Sequence, residues 1–556
     1  MIAESRRDRW TIAVLCLITF SLCCWYTLPS PYFLDSYGYV VWIEEWRRGG
    51  ELPSSYRYAN TLLYYWPVAL FGEYGLKIVG VAVTTALTAT YYAMIRRDFS
   101  PTTALGATLL FLSAPPTVIT ATHLKEDLTS LLFFSISVLL LRPRAGLARV
   151  AAAGVAYGLS LLFKEVLLGA LPFILAYLHM RVENIRSFPE AFDARKLLSG
   201  APRVVVFLLA SATAVLAVSP TRIGDFAMMA GSPYMGQFLG LFSAHQSVGL
   251  RFWDEALLYL HPWYLLPVAF FATTLGRRPP EQALYLPIAI VLLSFLANVS
   301  VVRMRHYVPV LFFLAPVIAG GTRAGFDLIH ELLAARGWRP ARASAATVAI
   351  CAAVAVAQIQ YVRPTIDYRQ RYAPSRRFFA PLASALPRDA LLLGMDNCTI
   401  ARHESGLPCE SRPPDLSAEA ARRYADTVAA AIANRPVYLL PDVFDYDARR
   451  EVRRAFESTF ATRPVYQAWW EPYHPMTYGV SIDDFIAGRL ERNPACTAAR
   501  HETQPLRVSD DLTLDQITIQ LDCPTGSPRT VVTAYDGHLT FLSRRTVSIV
   551  ELREAR

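Results

Sequence analysis

Lysine is almost missing from this chain. Its 556 residues include only Lys77, Lys125, Lys164 and Lys196, and arginine serves nearly everywhere else a cation stands. Charge is scarce altogether: Asp, Glu, Lys and Arg make up 18% of the residues, against about a quarter in an ordinary soluble protein. That shortage excludes a single large soluble fold. Internal repeats and low-complexity tracts are also lacking. The first apolar run, about 11–28, follows Arg6, Arg7 and Arg9, and no small-residue cleavage site ends it, so it reads as an uncleaved first helix.

What the chain has in plenty is apolar length. Hydrophobic residues make up 53%, in blocks near the roughly 20 residues that cross a bilayer. Eleven segments stand out: 11–28, 76–95, 102–120, 128–141, 149–163, 166–180, 204–219, 256–275, 282–300, 307–321 and 343–361. A polytopic α-helical membrane protein of about 11 transmembrane helices is expected. The net charge of +9 requires no nucleic acid. Its arginines gather in short loops at Arg96/Arg97, Arg142/Arg144/Arg149, Arg181 to Arg203, Arg277/Arg278 and Arg323 to Arg342, and together with the N-terminus these take the cytoplasmic side. The exoplasmic side then receives 29–75, turns near 121–127, 164–165 and 301–306, the loop 220–255, and everything after 361. The stretch 149–180 reads as a hairpin of two short helices, because one long tilted helix would put the arginine-rich 181–203 outside.

Beyond Tyr361 the composition turns polar, which divides the chain into a membrane domain, 1–361, and a soluble exoplasmic α/β domain, 362–556. DALLLGMD (389–396) and RPVYLLPDVF (435–444) read as buried strands. Between them, 417–435 reads as an amphipathic helix with Ser417 as N-cap and Glu419 in its first turn. The stretches 512–523 and 538–553 look like β-hairpins. Cys16, Cys23, Cys24 and Cys351 lie in apolar segments as packing residues. Cys398, Cys409, Cys496 and Cys523 lie in the polar third and fit two disulfides, paired by proximity as Cys398–Cys409 and Cys496–Cys523.

Four places carry charge where the membrane makes charge costly. Asp35 follows the first span and precedes 36–48, a stretch suited to an interfacial helix; it is either that helix's cap or a reactive acid. Glu126 and Asp127, after Lys125, sit in a very short outward turn; they cap the next helix or work as a pair of acids. Lys164 and Glu165 stand together in another turn, as a structural ion pair or a functional one. Arg303, Arg305 and His306 break the positive-inside bias, and a guanidinium fork suits phosphate; pairing with the acids or contact with lipid headgroups is the other use. Arg222 and Arg251 are weaker candidates of the same kind. Acids beside a phosphate-binding group at one face suit one reaction class. A carboxylate takes a proton from an acceptor hydroxyl or amine, and the acceptor displaces a lipid-linked phosphate.

An acid just past the first span, an interfacial helix behind it and an acidic pair in the second outward loop resemble the GT-C superfamily of integral-membrane glycosyltransferases. That superfamily includes protein O-mannosyltransferases, aminoarabinose transferases of lipid A and oligosaccharyltransferases. RHYVPV (305–310) looks like the family's Arg-Tyr…Pro stretch entering a late span, which adds Tyr307 to the substrate-binding candidates. The resemblance implies a polyprenyl-phosphate sugar donor, inversion at the anomeric carbon and Asp35 as base, with Glu126 or Asp127 assisting. It also implies an acceptor among the glycans, lipids or proteins of the envelope, in a bacterial inner membrane. Many relatives carry a paired acid in the first loop; here Ser36 and Tyr37 follow Asp35, which leaves a divalent metal open. A polymerase or ligase of lipid-linked glycans is the other enzymatic reading. A lipid-carrier transporter is the non-enzymatic one, though its usual internal symmetry is missing.

Overall fold

The computed structural model describes residues 6–28, 34–50, 58–122, 126–185, 187–218, 260, 262–297, 304–333, 340–395, 397–413, 416–444, 450–470, 477–478, 496–509, 512–522, 529–535, 540–542 and 545–554. It divides into two compact units, one formed by Met1–Thr27 with Trp42–Arg363, the other by Leu28–Val41 with Pro364–Arg556.

The first unit is helical. Its elements are α1 (Arg6–Trp25), α2 (Leu34–Arg47, crossed by the unit boundary), α3 (Tyr58–Phe71), α4 (Glu73–Asp98), α5 (Pro101–Ser113), α6 (Pro115–Thr122), α7 (Glu126–Leu140), α8 (Leu147–Phe163), α9 (Leu171–Val182), α10 (Ala194–Val218), α11 (Leu265–Thr273), α12 (Tyr285–Ala297), α13 (Tyr307–Leu333) and α14 (Pro340–Tyr372, also crossed by the boundary). Among the described residues five helices are long and apolar enough to cross a membrane: Arg6–Trp25, Glu73–Asp98, Ala194–Val218, Tyr307–Glu331 and Ala343–Arg363. α5 and α6 add a sixth if they form one bent span, and four shorter apolar stretches lie among them.

The segment 102–120, expected as one span, is broken. Residues preceding proline are driven out of the helical region, and Ala114, before Pro115 and Pro116, is extended at φ −56°, ψ 133°. The two pieces meet at 57°. The 149–180 hairpin is present: the Arg144 N–H donates to the Val182 carbonyl at 3.3 Å, and the Tyr157 hydroxyl donates to the Leu167 carbonyl at 3.0 Å. In one unbroken helix residues ten apart would lie about 15 Å from each other. One helix is new. α3 falls within 29–75, expected as exoplasmic loop apart from 36–48; its 14 residues are shorter than a span and include Pro67.

Two glycines let α8 and α10 touch. A Cβ on Gly154 or Gly158 would collide with the carbonyl oxygens of Phe207 and Ser211, and at this close approach the Ser211 hydroxyl donates to the Gly154 carbonyl at 2.9 Å. Small residues at such spacing are how helices pack where no hydrophobic drive separates them from lipid.

Arginines from several of the predicted basic loops meet at one end of this unit. Arg96 pairs with Asp8 at 3.1 Å. Arg97 donates to the carbonyls of Val138, Leu139 and Leu141, the open end of α7. Arg181 pairs with Asp98, whose carboxylate also accepts from Tyr177 at 2.9 Å and Tyr285 at 3.0 Å. The core between the ends is aromatic, with Phe134 edge-on to both Phe312 and Phe313.

The second unit carries the sheets. β1 (Leu391–Gly394), α16 (Asn397–Ser405, after the short α15, Pro374–Phe379), β2 (Cys409–Ser411), α17 (Ala418–Ile432), β3 (Val437–Leu439) and α18 (Glu451–Thr459) form an α/β layer, with β1 parallel to both β2 and β3. The sheet runs β2-β1-β3-β10-β4, where β4 is Phe460–Trp470 and β10 is Arg545–Glu554. α17 opens as the sequence indicates, the Ser417 side chain accepting from the Ala420 N–H at 3.3 Å. The second sheet, β5-β9-β8-β7-β6, is antiparallel. Both expected hairpins need correction. Residues 512–523 give one strand, β7 (Leu512–Asp522), which pairs with β6 (Thr497–Ser509). The stretch 538–553 is split between sheets: β9 (Thr540–Leu542) joins β8 (Arg529–Tyr535) and β5 (Thr477–Tyr478), while β10 lies between β3 and β4. Alternating apolar residues identify a strand but not its partner. Cys398 and Cys409 are bonded, and Cys496 is in a disulfide; Cys523 lies outside the described residues.

Candidate active site

Glu126 and Asp127 are the first two residues of α7 and are 7% and 2% exposed. A helix N-terminus favours negative charge, which makes this the cheapest place in the helix for two acids. Even so, adjacent buried carboxylates repel and call for a cation. Lys164 supplies it. The residue ends α8 in an extended conformation, φ −154°, ψ 113°, which turns its side chain out of the helix. Its Nζ stands 3.7 Å from Glu126 Oε1, both side chains about nine-tenths buried. The sequence paired Lys164 with its neighbour Glu165; in the structure it reaches an acid of a different loop. Glu165 opens a short 3-10 turn, Glu165–Ala170, and its side chain is outside the described residues.

Tyr64, from α3, completes this group. It is 1% exposed, and its hydroxyl stands beside the side chains of Glu126, Asp127 and Thr129. Sequence reasoning missed it because α3 was missed; the one signal was the polar-aromatic run NTLLYYW inside an apolar stretch. α6 packs against α7, α13 and the 3-10 turn Met304–His306. It brings Thr117 and Thr120, whose buried hydroxyls have no hydrogen-bond partner among the described residues. Arg305 and His306 lie half-buried in that 3-10 turn, and Tyr307, the first residue of α13, is fully buried. The helix that leads into Glu126 and Asp127 therefore also borders the Arg305 turn. Lys125, Arg303, Arg222 and Arg251 fall outside the described residues.

Asp35 is the second residue of α2, inside the helix and not its N-cap. Its side chain is outside the described residues, and it belongs to the second unit. The helix expected to lie on the lipid surface is largely covered by protein instead: Ser36, Tyr37, Tyr39, Val40, Val41 and Ile43 are all buried. Of the aromatic stretch YQAWWEPYHPMTY (466–478), the described residues are strand, up to Trp470 in β4 and Thr477–Tyr478 in β5. Among the described residues no three His, Cys, Asp or Glu side chains are grouped to hold a metal ion.

The fold of this chain is one that solved membrane-protein structures of low sequence identity share. The chain is similar to ArnT from Cupriavidus metallidurans in two crystal structures. One, bound to undecaprenyl phosphate, aligns over 84% of this chain and 97% of that one, with a TM-score of 0.50 and 15% identity. The other, in the apo state, aligns over 83% and 97%, with a TM-score of 0.52 and 15% identity. The Archaeoglobus fulgidus oligosaccharyltransferase in complex with Zn and sulfate aligns over 77% of this chain and 67% of that one, with a TM-score of 0.45 and 12% identity. No protein-family model matches the sequence, and no curated protein matches it by sequence.

Proposed function

We propose that this protein is a glycosyltransferase that moves a sugar from a polyprenyl-phosphate donor to a glycan, lipid or protein acceptor of the envelope. The reaction takes place on the exoplasmic face of the bacterial inner membrane, with inversion at the anomeric carbon. The domain after residue 361 is soluble and exoplasmic in this reading.

The observation that carries the proposal is the buried group of Glu126, Asp127, Lys164 and Tyr64. Taking charges out of water is expensive, and a buried ion pair rarely repays that cost in stability. Charges kept dry at a helix terminus are better explained by a substrate that needs them. The similar ArnT fold, crystallised with undecaprenyl phosphate, supports a lipid phosphate as that substrate.

In this scheme Asp35 accepts the proton of the acceptor O–H or N–H. The freed electron pair forms the bond to the anomeric carbon from one face while the bond to the phosphate oxygen breaks on the other. Polyprenyl phosphate leaves with the electron pair of the broken carbon–oxygen bond, and the charge gathering on it is met by Lys164 and Arg305, with Lys125, Arg303 and His306 in support. Glu126 holds Lys164 in place, Asp127 assists the acid–base step, and Glu165 and Tyr307 line the substrate site. The test is Asp35→Asn, assayed for transfer from a defined prenyl-phosphate sugar after expression and folding are checked. Loss of a general base predicts a fall of about 10²–10⁴-fold; full activity removes Asp35 from the mechanism.

A further inference from the structure

Tyr37, two residues after Asp35, is a core residue of the second unit. It is 0% exposed and packs in one cluster with Phe378, Phe379, Leu392, Ile400 and Tyr438. Its ring stands edge-on to His403, centroids 5.4 Å apart. Its hydroxyl donates to Glu404 Oε1 at 2.7 Å. Glu404 is itself held: its side chain is 5% exposed, and its other oxygen accepts from Arg376 at 3.0 Å.

The helix that presents Glu404 is fixed at both ends. α16 begins where the Asn397 N–H donates to Asp442 Oδ2 at 2.8 Å. Cys398 ties its first turn to β2 through the bond to Cys409, and Arg402 donates to the Cys409 carbonyl at 3.0 Å. A tyrosine needing only burial would do as well as phenylalanine. Here the hydroxyl meets a carboxylate, and a charge-assisted bond of this kind fixes direction as well as distance. Residues two apart on a helix are separated by roughly 200° about its axis, so the turn of α2 that is clamped at position 37 holds position 35 on another face.

We propose that Glu404 is a positioning residue for Asp35, acting through the Tyr37 hydroxyl, so that α16 of the second unit sets the orientation of the α2 turn that bears the base. This rests on the reading of Asp35 as the base, and it gives the second unit a part in the reaction beyond any acceptor binding. Misplacing a catalytic group by about 1 Å can cost on the order of 100-fold in rate. Tyr37→Phe removes a single oxygen while keeping the ring in its core.

The experiment uses the full-length protein with a defined prenyl-phosphate sugar. Tyr37→Phe and Glu404→Ala should each lower kcat about 10- to 100-fold with the donor KM unchanged. Glu404→Gln, which keeps an acceptor oxygen at the same reach, should recover most of that loss. The double variant Tyr37→Phe/Glu404→Ala should be no slower than Glu404→Ala alone, since the bond between the two side chains is already gone in that variant. A second measurement does not depend on activity: a nitroxide attached through Asp35→Cys, with the four free cysteines replaced, read by electron paramagnetic resonance. Its spectrum should be that of an immobilised label, sharpening when Tyr37→Phe is added. Unchanged kcat in Tyr37→Phe, or an unchanged spectrum, overturns the positioning role. Full activity in Asp35→Asn instead overturns the base assignment and the catalytic consequence with it, while the label still reports whether Glu404 and Tyr37 hold that turn.

Discussion

Lys164 Nζ lies 3.7 Å from Glu126 Oε1, joining the end of α8 to the start of α7 in a setting almost free of solvent. Such a pair has two functions that can be separated by mutation. As a structural contact it sets a cation beside a buried acid; in the reaction proposed above it also presents an ammonium to a phosphate.

Lys164→Met takes a buried cation away from Glu126 and should destabilise the protein by about 3–5 kcal/mol, the usual cost of breaking a buried pair from one side. Adding Glu126→Gln neutralises the acid of the pair and should restore most of the thermal midpoint in detergent. Transfer activity should stay low in both, because the ammonium is gone. A double variant with wild-type transfer would show that the pair serves stability alone.

Gly154→Ala and Gly158→Ala should each lower the thermal midpoint, by an amount equivalent to about 1–3 kcal/mol of overpacking. The added methyl meets main-chain oxygens of α10, which cannot rotate away as a side chain would. Gly146→Ala is the control, since nothing lies within 4 Å of a Cβ there and its φ is ordinary. Equal midpoints for the three variants would contradict the close contact of α8 and α10.

Tyr424, on α17, titrates late. Burial first, then the Glu410 carboxylate, push its hydroxyl up to about 12, against a smaller opposing effect of Arg412. A pKa raised on folding means that the protonated form is favoured in the folded state. The stabilisation is therefore complete below the unfolded value, about 10, and is lost as pH rises through about 12. Tyrosinate absorbance should lose a late-titrating component in Tyr424→Phe, and the wild-type second unit should weaken across that window more than the variant does. A component lost near pH 10 would show that Tyr424 is not shielded.

The sequence revealed the parts of the fold that depend on local pattern. The hairpin at 149–180 followed from charge, and the Arg144–Val182 contact shows why: both ends of the pair return to the arginine-rich end. Ser417, the strands either side of α17 and the Cys398–Cys409 bond were likewise visible from local chemistry. What escaped were relationships between distant residues. α3 was hidden because its apolar run is short and Tyr58–Phe71 must share its burial with neighbouring helices. β10 was given to a hairpin with β9, when its partners β3 and β4 are set by tertiary packing. In the site, Glu126, Asp127 and Lys164 could be marked as costly charges, but the lysine's partner could not be known, because adjacency in sequence pointed to Glu165. Tyr37 looked like a membrane-surface aromatic, since nothing local to it indicates that it would enter the core of the second unit.

The clamp on Tyr37 also has a consequence for the order in which the protein can be made. Tyr37 and Glu404 are 367 residues apart, and at about 5–20 residues per second the second emerges from the ribosome roughly 20–70 s after the first. During that interval Tyr37 lacks Phe378, Leu392, Ile400 and Tyr438, with which it shares a core, so the turn bearing Asp35 is not clamped until translation has passed Ser405. A nascent chain stalled before that point should therefore carry Asp35 on a helix turn that Glu404 has not yet fixed.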